Sequence, residues 1–229
     1  AGNEMVLKER VLQADGNAIF LSRNREAEQT AARNLARLLR ESKHGFDVER
    51  ELEEIQAELG IVLAERQKEA VRMVFRSQVS IITGGPGKGK TTVLGVILKL
   101  FERKEPEKQV LLCAPTGRAR KRLSESTGYP ALTIHKALYL TGEDEELPDD
   151  EALEEDLVIA DEFTMADMWL AGILFSRIKS GARLVLVGDV DQLPSVGPGS
   201  VFKEMIDSGV IPFTVLDVFF RQAKDSRII

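Results

Sequence analysis

The chain has 229 residues, 43% of them hydrophobic and 30% charged, with a formal net charge of −6. That length holds one large α/β domain with an appendage or two small domains, and the apolar share is enough for a sizeable core. One cysteine excludes an internal disulfide, and the acidic balance excludes a broadly basic coat, so a nucleic-acid partner would have to meet a local basic groove.

Near the start, Asp15-Gly16-Asn17 separates Val11-Leu12 from Ala18-Ile19-Phe20-Leu21 and predicts a small hairpin. A helix is expected over about 24–42, with Ala27, Ala31, Leu35 and Leu38 on one face. His44-Gly45 breaks it, and a second, acidic helix is expected over about 48–59, ending at Gly60. Residues 1–61 therefore read as a mainly helical annex whose charges form a solvated face. From 62 onward the pattern alternates. Apolar runs at 79–83, 110–114, 157–160 and 184–187 are interleaved with helical segments over about 65–77, 91–103, 117–125, 133–139 and 165–180. Continuous Val/Ile/Leu runs mark parallel strands buried on both faces. Residues 62–229 are expected to form an α/β doubly wound parallel sheet of the P-loop ATPase type, with its ligand at the carboxyl ends of the strands. Cys113, inside the second run, reads as a buried strand residue rather than a nucleophile. No apolar run approaches the ~20 residues that span a bilayer. The opening AGNEMVLKER has no signal-peptide pattern, and the expectation is a cytoplasmic chain without a membrane partner.

Three elements carry chemistry. The first is Gly84-Gly85-Pro86-Gly87-Lys88-Gly89-Lys90-Thr91-Thr92, which satisfies G-x-x-x-x-G-K-[ST] between a predicted strand and a predicted helix. Its glycines let successive N–H groups turn inward around a phosphate, and the following helix N-terminus adds partial positive charge. Lys90 is expected to reach the β- and γ-phosphates of a nucleoside triphosphate, and the Thr91 hydroxyl to ligate Mg²⁺. The second is Leu157-Val158-Ile159-Ala160-Asp161-Glu162, a core strand ending in two carboxylates. Asp161 would hold the Mg²⁺ shell and Glu162 would orient and deprotonate the attacking water, because phosphoryl transfer needs positioning and charge stabilisation. Alone, such a run could equally mark a strand meeting solvent. The third is Leu184-Val185-Leu186-Val187-Gly188-Asp189 followed by Val190-Asp191-Gln192. The Gln192 amide could bond both γ-phosphate and water and so sense hydrolysis; a surface-loop residue is the other reading.

In order along the chain, GGPGKGKTT, APTGRARKRL, TIHKAL, DEFTMAD, LVGDVDQLPSVGPG and FFRQAKDSRII resemble the motifs of superfamily 1 DNA helicases. They are most similar to the RecD-like branch, over about 61–229 and more loosely in the leader. The resemblance implies a RecA-like motor domain that hydrolyses ATP with Mg²⁺ and moves 5′ to 3′ on single-stranded DNA in recombination or repair. By position, it implies that Gln67 reads adenine, its amide offering both a donor and an acceptor. It also implies that Arg221 reaches the γ-phosphate beside Lys90, Glu162 and Gln192. Thr116 and Arg118 in PTGR, and His135 in TIH, match segments that grip the DNA backbone. Arg118, Arg120, Lys121 and Arg122 make a local basic cluster, a pattern that a solvated helix face shares. A Pif1-like or conjugative-relaxase motor is the alternative, as is a nucleotide-switched DNA-binding module with little turnover.

Two departures from the family pattern stand out. Lys88 occupies a place usually held by a small residue, commonly threonine. Residues 142–151, where RecD-like enzymes insert a short β-hairpin, are strongly acidic and are expected to repel a phosphate backbone. Helicases of this family also need a second RecA-like domain, and the sequence ends at Ile229, just after the Arg221 segment. The expectation is an annex and first motor domain from a longer enzyme, with the second domain and other recombination-complex subunits as partners. Alone, the chain is expected to bind nucleotide and, weakly, single-stranded DNA, with little helicase activity.

Overall fold

Backbone groups that leave water must bond one another, and an apolar run buried on both faces can do so only by pairing with neighbouring strands. The computed structural model describes residues 12–15, 18–40, 46–140, 152–193 and 195–217. Within these, β1 (Leu12–Asp15) and β2 (Ala18–Leu21) form an antiparallel hairpin with Leu12 opposite Leu21. A separate six-stranded sheet contains β3 (Val79–Thr83), β4 (Val110–Ala114), β5 (Ala131–Thr133), β6 (Leu157–Ala160), β7 (Arg183–Gly188) and β8 (Phe213–Val215). All its pairings are parallel, in the order β5-β4-β6-β7-β3-β8. The doubly wound α/β sheet expected from the apolar runs is the observed architecture. The runs do not announce β5 and β8, which are three residues long and lie at the two edges.

The period-two alternation of a strand divides the core. Val79, Ile81, Val158, Ala160, Leu184 and Leu186 belong to one cluster. Ile82, Leu157, Ile159, Val185 and Val187 belong to the other. Helices cover both faces. The first cluster holds residues of α1 (Ser22–Arg40), while the second holds residues of α2 (Glu49–Leu59), α3 (Glu65–Arg76), α4 (Lys90–Lys104) and α5 (Gly117–Thr127). α6 (Ile134–Ala137), α7 (Met168–Arg177) and α8 (Val201–Asp207) contribute to the first. Cys113 is buried in β4, and burial pushes its thiol up to about 12, which leaves it an inert core residue.

The two leader helices dock by different chemistry on opposite faces. α1 lies along α7, where Gly172 makes room: a Cβ there would stand 3.3 Å from Ala27 O. Arg37 donates to Phe175 O (2.9 Å), Ile178 O (2.8 Å) and Ser180 Oγ (3.0 Å), closing the C-terminus of α7. α2 buries Leu52 and Ile55, but its acidic side is paired rather than merely solvated. Glu49 meets Arg72 (2.6 Å), Glu51 meets Lys104 (2.7 Å), and Glu54 and Glu58 meet Arg103 (3.2 and 2.7 Å). The Lys104 ammonium, by its hydrogen bond, holds the Glu51 carboxyl down to about 2.

Two helices are shorter than their periodicity predicts. α7 begins at Met168 rather than near 165. Glu162 takes left-handed angles (φ 53°, ψ 35°), Phe163–Met165 forms a 3₁₀ turn, and Asp167 caps the true start by accepting from Leu170 N–H (2.8 Å). α6 is a single turn, after which Tyr139 also has positive φ (54°).

Candidate nucleotide site at the carboxyl edge of the sheet

The carboxyl ends of β3, β6 and β7 converge on the segments that the sequence marks for chemistry. Gly84 leaves β3 with its N–H donating to Gly188 O (3.2 Å). A Cβ at Gly84 would lie 2.6 Å from Leu216 O, so only glycine fits against that backbone. Gly89 turns the loop into α4 with φ 85°, a left-handed conformation that favours glycine. The loop therefore lies against the N-terminus of α4, where unpaired N–H groups and the helix dipole favour an anion. Lys90 folds its ammonium back over the loop, donating to the carbonyl of Gly84 and to that of Gly85 (3.2 Å). Thr91 is exposed on the first turn of α4, and Thr92 is half-buried beside it. Lys88 Nζ donates to Asp217 O (2.7 Å), so its cation lies on the backbone that follows β8.

Gln67 connects this loop to the start of α3. It is 2% exposed; its Oε1 accepts from Ala64 N–H (2.9 Å) and its Nε2 donates to Lys88 O (3.3 Å). Its amide thus sits within reach of the loop while also closing the first turn of its own helix.

Asp161 follows β6, its N–H donating to Cys113 O (2.9 Å), and its Oδ1 accepts from Glu162 N–H (2.9 Å). Burial pushes the Asp161 carboxyl up to about 6, and the Glu162 carboxylate pushes the same way. The hydrogen bond from Glu162 N–H, then the charges of Lys90 and Arg122, oppose that rise. A half-buried carboxylate whose charge is poorly solvated is a ready partner for a cation. Among the described residues no cluster of three or more His, Cys, Asp and Glu gathers to hold a metal. Mg²⁺ commonly takes one or two protein oxygens and fills its shell with phosphate and water, so it needs no such cluster.

β7 lies between β3 and β6 and ends in the turn that carries Gln192. Asp189 is 4% exposed; its Oδ1 accepts from Asp191 N–H (3.2 Å) and its Oδ2 from Gln192 Nε2 (3.3 Å). Gln192 itself is exposed. Pattern reading passes over Asp189 and its buried acceptor role, although a carboxylate directly after a core strand, as at Asp161, is the signal that marks it.

The DNA candidates lie farther along the same edge, beyond the neighbouring strands β4 and β5. Thr116 caps α5, its Oγ1 accepting from Ala119 N–H (3.2 Å), and Arg118 is exposed on the first turn of that helix. His135 is exposed in α6, which begins after Thr133 caps Lys136 N–H (3.2 Å). Arg221 and the acidic stretch 142–151 fall outside the described residues. Among the described residues no helix is long and apolar enough to cross a membrane.

A phosphate loop between a buried strand and a helix, in a parallel doubly wound sheet, defines a P-loop nucleoside-triphosphatase domain of RecA-like type. Residues 67–198 match the model of the AAA domain family, and the chain belongs to that family. Among curated proteins it is 36% identical over 167 residues to the ATP-dependent RecD2 DNA helicase of Deinococcus radiodurans, covering 73% of this chain and 23% of that protein. It is 32% identical over 165 residues to the RecBCD enzyme subunit RecD of Mycobacterium tuberculosis, covering 62% and 29%. It is 33% identical over 172 residues to the RecD subunit of Haemophilus influenzae, covering 65% and 27%. The chain thus spans about a quarter of the length of these relatives. The fold is also that of the Pif1 helicase of Candida albicans, with a TM-score of 0.53 at 24% identity over 73% of this chain and 42% of that one.

Proposed function

We propose that the chain is the ATP-binding and ATP-hydrolysing first motor domain of a DNA helicase of RecD type. Its parent enzyme would move 5′ to 3′ on single-stranded DNA in recombination or repair. The observation that carries this reading is the meeting of three groups at one sheet edge: the loop with Lys90, the pair Asp161-Glu162, and Gln192 on the turn after the intervening strand. Similarity to RecD helicases supports the choice of DNA and of recombination. In this reading the loop 85–92 wraps the phosphates, and Lys90 exchanges its loop carbonyls for the β- and γ-phosphates. Gln67 reads the adenine edge with the second acceptor lone pair and the second N–H that its two present partners leave over. Thr91 and Asp161 would hold Mg²⁺, which when bound offsets phosphate charge and orients the transferring group. Glu162 takes a proton from the attacking water, Gln192 reads the γ-phosphate, and Arg221 adds its fixed charge. Thr116, Arg118 and His135 contact the DNA backbone.

Residues 1–61 act in this reading as an annex and 62–229 as the motor domain. A second RecA-like domain and recombination-complex subunits are its partners, in the cytoplasm. The test is calorimetry with Mg-ATP alongside turnover. Lys90→Ala should lose detectable ATP binding, whereas Glu162→Gln should bind ATP normally and, in the parent enzyme, hydrolyse it at least ~100-fold slower. Undiminished ATP binding by Lys90→Ala would overturn the assignment of the loop.

A further inference from the structure

We propose that Asp189 is a positioning residue for Gln192, holding the glutamine's amide nitrogen in a resting place from which a γ-phosphate must win it. The inference rests on the nucleotide reading above and adds a third carboxylate to it, with a function separate from those of Asp161 and Glu162. Asp189 directly follows β7 and is 4% exposed, with Oδ1 occupied by Asp191 N–H (3.2 Å) and Oδ2 by Gln192 Nε2 (3.3 Å). A carboxylate accepts and cannot donate, so the NH₂ end of the Gln192 amide must face it. Phosphate oxygens are acceptors too and need that same end. Sharing one NH₂ between them would hold a carboxylate and a phosphate on either side of a single nitrogen, where their like charges repel.

Two further contacts keep Asp189 fixed while Gln192 moves. Gly84 N–H donates to Gly188 O (3.2 Å) and Val190 N–H donates to Thr83 Oγ1 (3.1 Å), so the turn is tied on both sides of Asp189 to the start of the phosphate loop. The same oxygen that holds Gln192 lies against that loop, since a Cβ built on Gly85 would stand 4.0 Å from Asp189 Oδ2. Gln192, by contrast, is exposed and can swing at little cost. The carboxylate therefore sets a threshold. ATP must break the Asp189–Gln192 bond to be read, and ADP, which has no γ-phosphate, leaves it intact.

The experiment is a double-mutant cycle on the 229-residue chain, measuring Kd by calorimetry for Mg-ADP and for a non-hydrolysable Mg-ATP analogue. Asp189→Ala should raise the preference for the analogue over ADP about three- to tenfold, the net worth of one such hydrogen bond. In a Gln192→Ala background the same change should raise that preference clearly less, since only the carboxylate's repulsion of the phosphate is then removed. An equal rise in both backgrounds would mean bare charge repulsion and would overturn the proposal, as would no rise in either. If Asp189→Ala does not fold, Asp189→Asn keeps the shape, removes the charge and is read through the same cycle. Failure of the unaltered chain to bind either nucleotide would refute the underlying nucleotide reading, a result visible before any variant is made.

Discussion

Along β6 and the two residues that follow it, the chain changes character over the space of one turn. Leu157, Val158, Ile159 and Ala160 are wholly buried, apolar and paired on both sides by parallel ladders to β4 and β7. Asp161 is a carboxyl that burial pushes up to about 6, and Glu162 is a non-glycine residue held at φ 53°. In the strand, local preference, burial and hydrogen bonding agree; in the pair, each residue sits where its own chemistry resists. Such disagreement persists only where surrounding structure over-determines it, and it collects at sites with a task. The strand supplies the stability that its own carboxyl end consumes.

That contrast can be broken from either side. The largest effect is expected inside the strand, where Ile159→Ala should cost about 2–5 kcal/mol of unfolding free energy in urea titration, as a buried isoleucine lost from a close-packed core. Two residues on, the sign should reverse. Because the folded-state value of Asp161 lies above the ordinary aspartate value near 4, the folded protein holds that proton more tightly than the unfolded chain does. Stability therefore falls as pH rises from about 4 to about 6 and stays at the lower level above. In Mg²⁺-free buffer at pH 7.5, Asp161→Asn should be more stable than the unaltered chain by about 2–3 kcal/mol, at 1.36 kcal/mol per pKa unit. The gain should vanish below pH 4; a gain that persists there would show that burial of the charge is not its source. The smallest effect is sharpest in logic. Glu162→Gly should stabilise by about 0.5–1 kcal/mol by relieving left-handed strain, less the extra chain entropy of glycine. Glu162→Ala keeps the strain and should show no such gain in thermal melts, so equal behaviour of the two would remove strain from the account.

The same contrast explains what the sequence discloses. The four central strands are legible because burial on both faces writes itself as an uninterrupted apolar run. β8 is not, since Phe213 and Val215 are exposed at an edge and only Thr214 is buried. β5 is hidden by its neighbour: Thr133 ends the strand and caps the next helix at once, so the segment reads as a helix start. The helix after β6 reads as three residues too long at its front because periodicity carries no sign of the left-handed Glu162. Helical periodicity in the leader shows that α1 and α2 each have an apolar face, but not that those faces meet opposite sides of the sheet. Nor does it show that α2's glutamates find Arg72, Arg103 and Lys104. At the site, the strand–loop–helix context of Gly84–Thr92 is legible from spacing, whereas Asp161-Glu162 gains meaning only from sharing a sheet edge with that loop. The role of Asp189 depends on which groups surround a turn, and no spacing records that.

One consequence of placing β7 between β3 and β6 concerns gauge, in the sense of a railway. Two interstrand spacings, about 10 Å, separate the strand that enters the phosphate loop from the strand that leads into Asp161. That width is set by the ladders pairing Ile82 with Val187 and Ala160 with Leu186, and no loop has a say in it. Connections around the sheet can lengthen, shorten or change composition while the track stays the same width. A slip of β7 by one residue, by contrast, would turn Leu184 and Leu186 to the opposite face and expel them from their cluster. Fitting a cargo of different span would therefore take another sheet, where altering what happens to the present one takes only another loop.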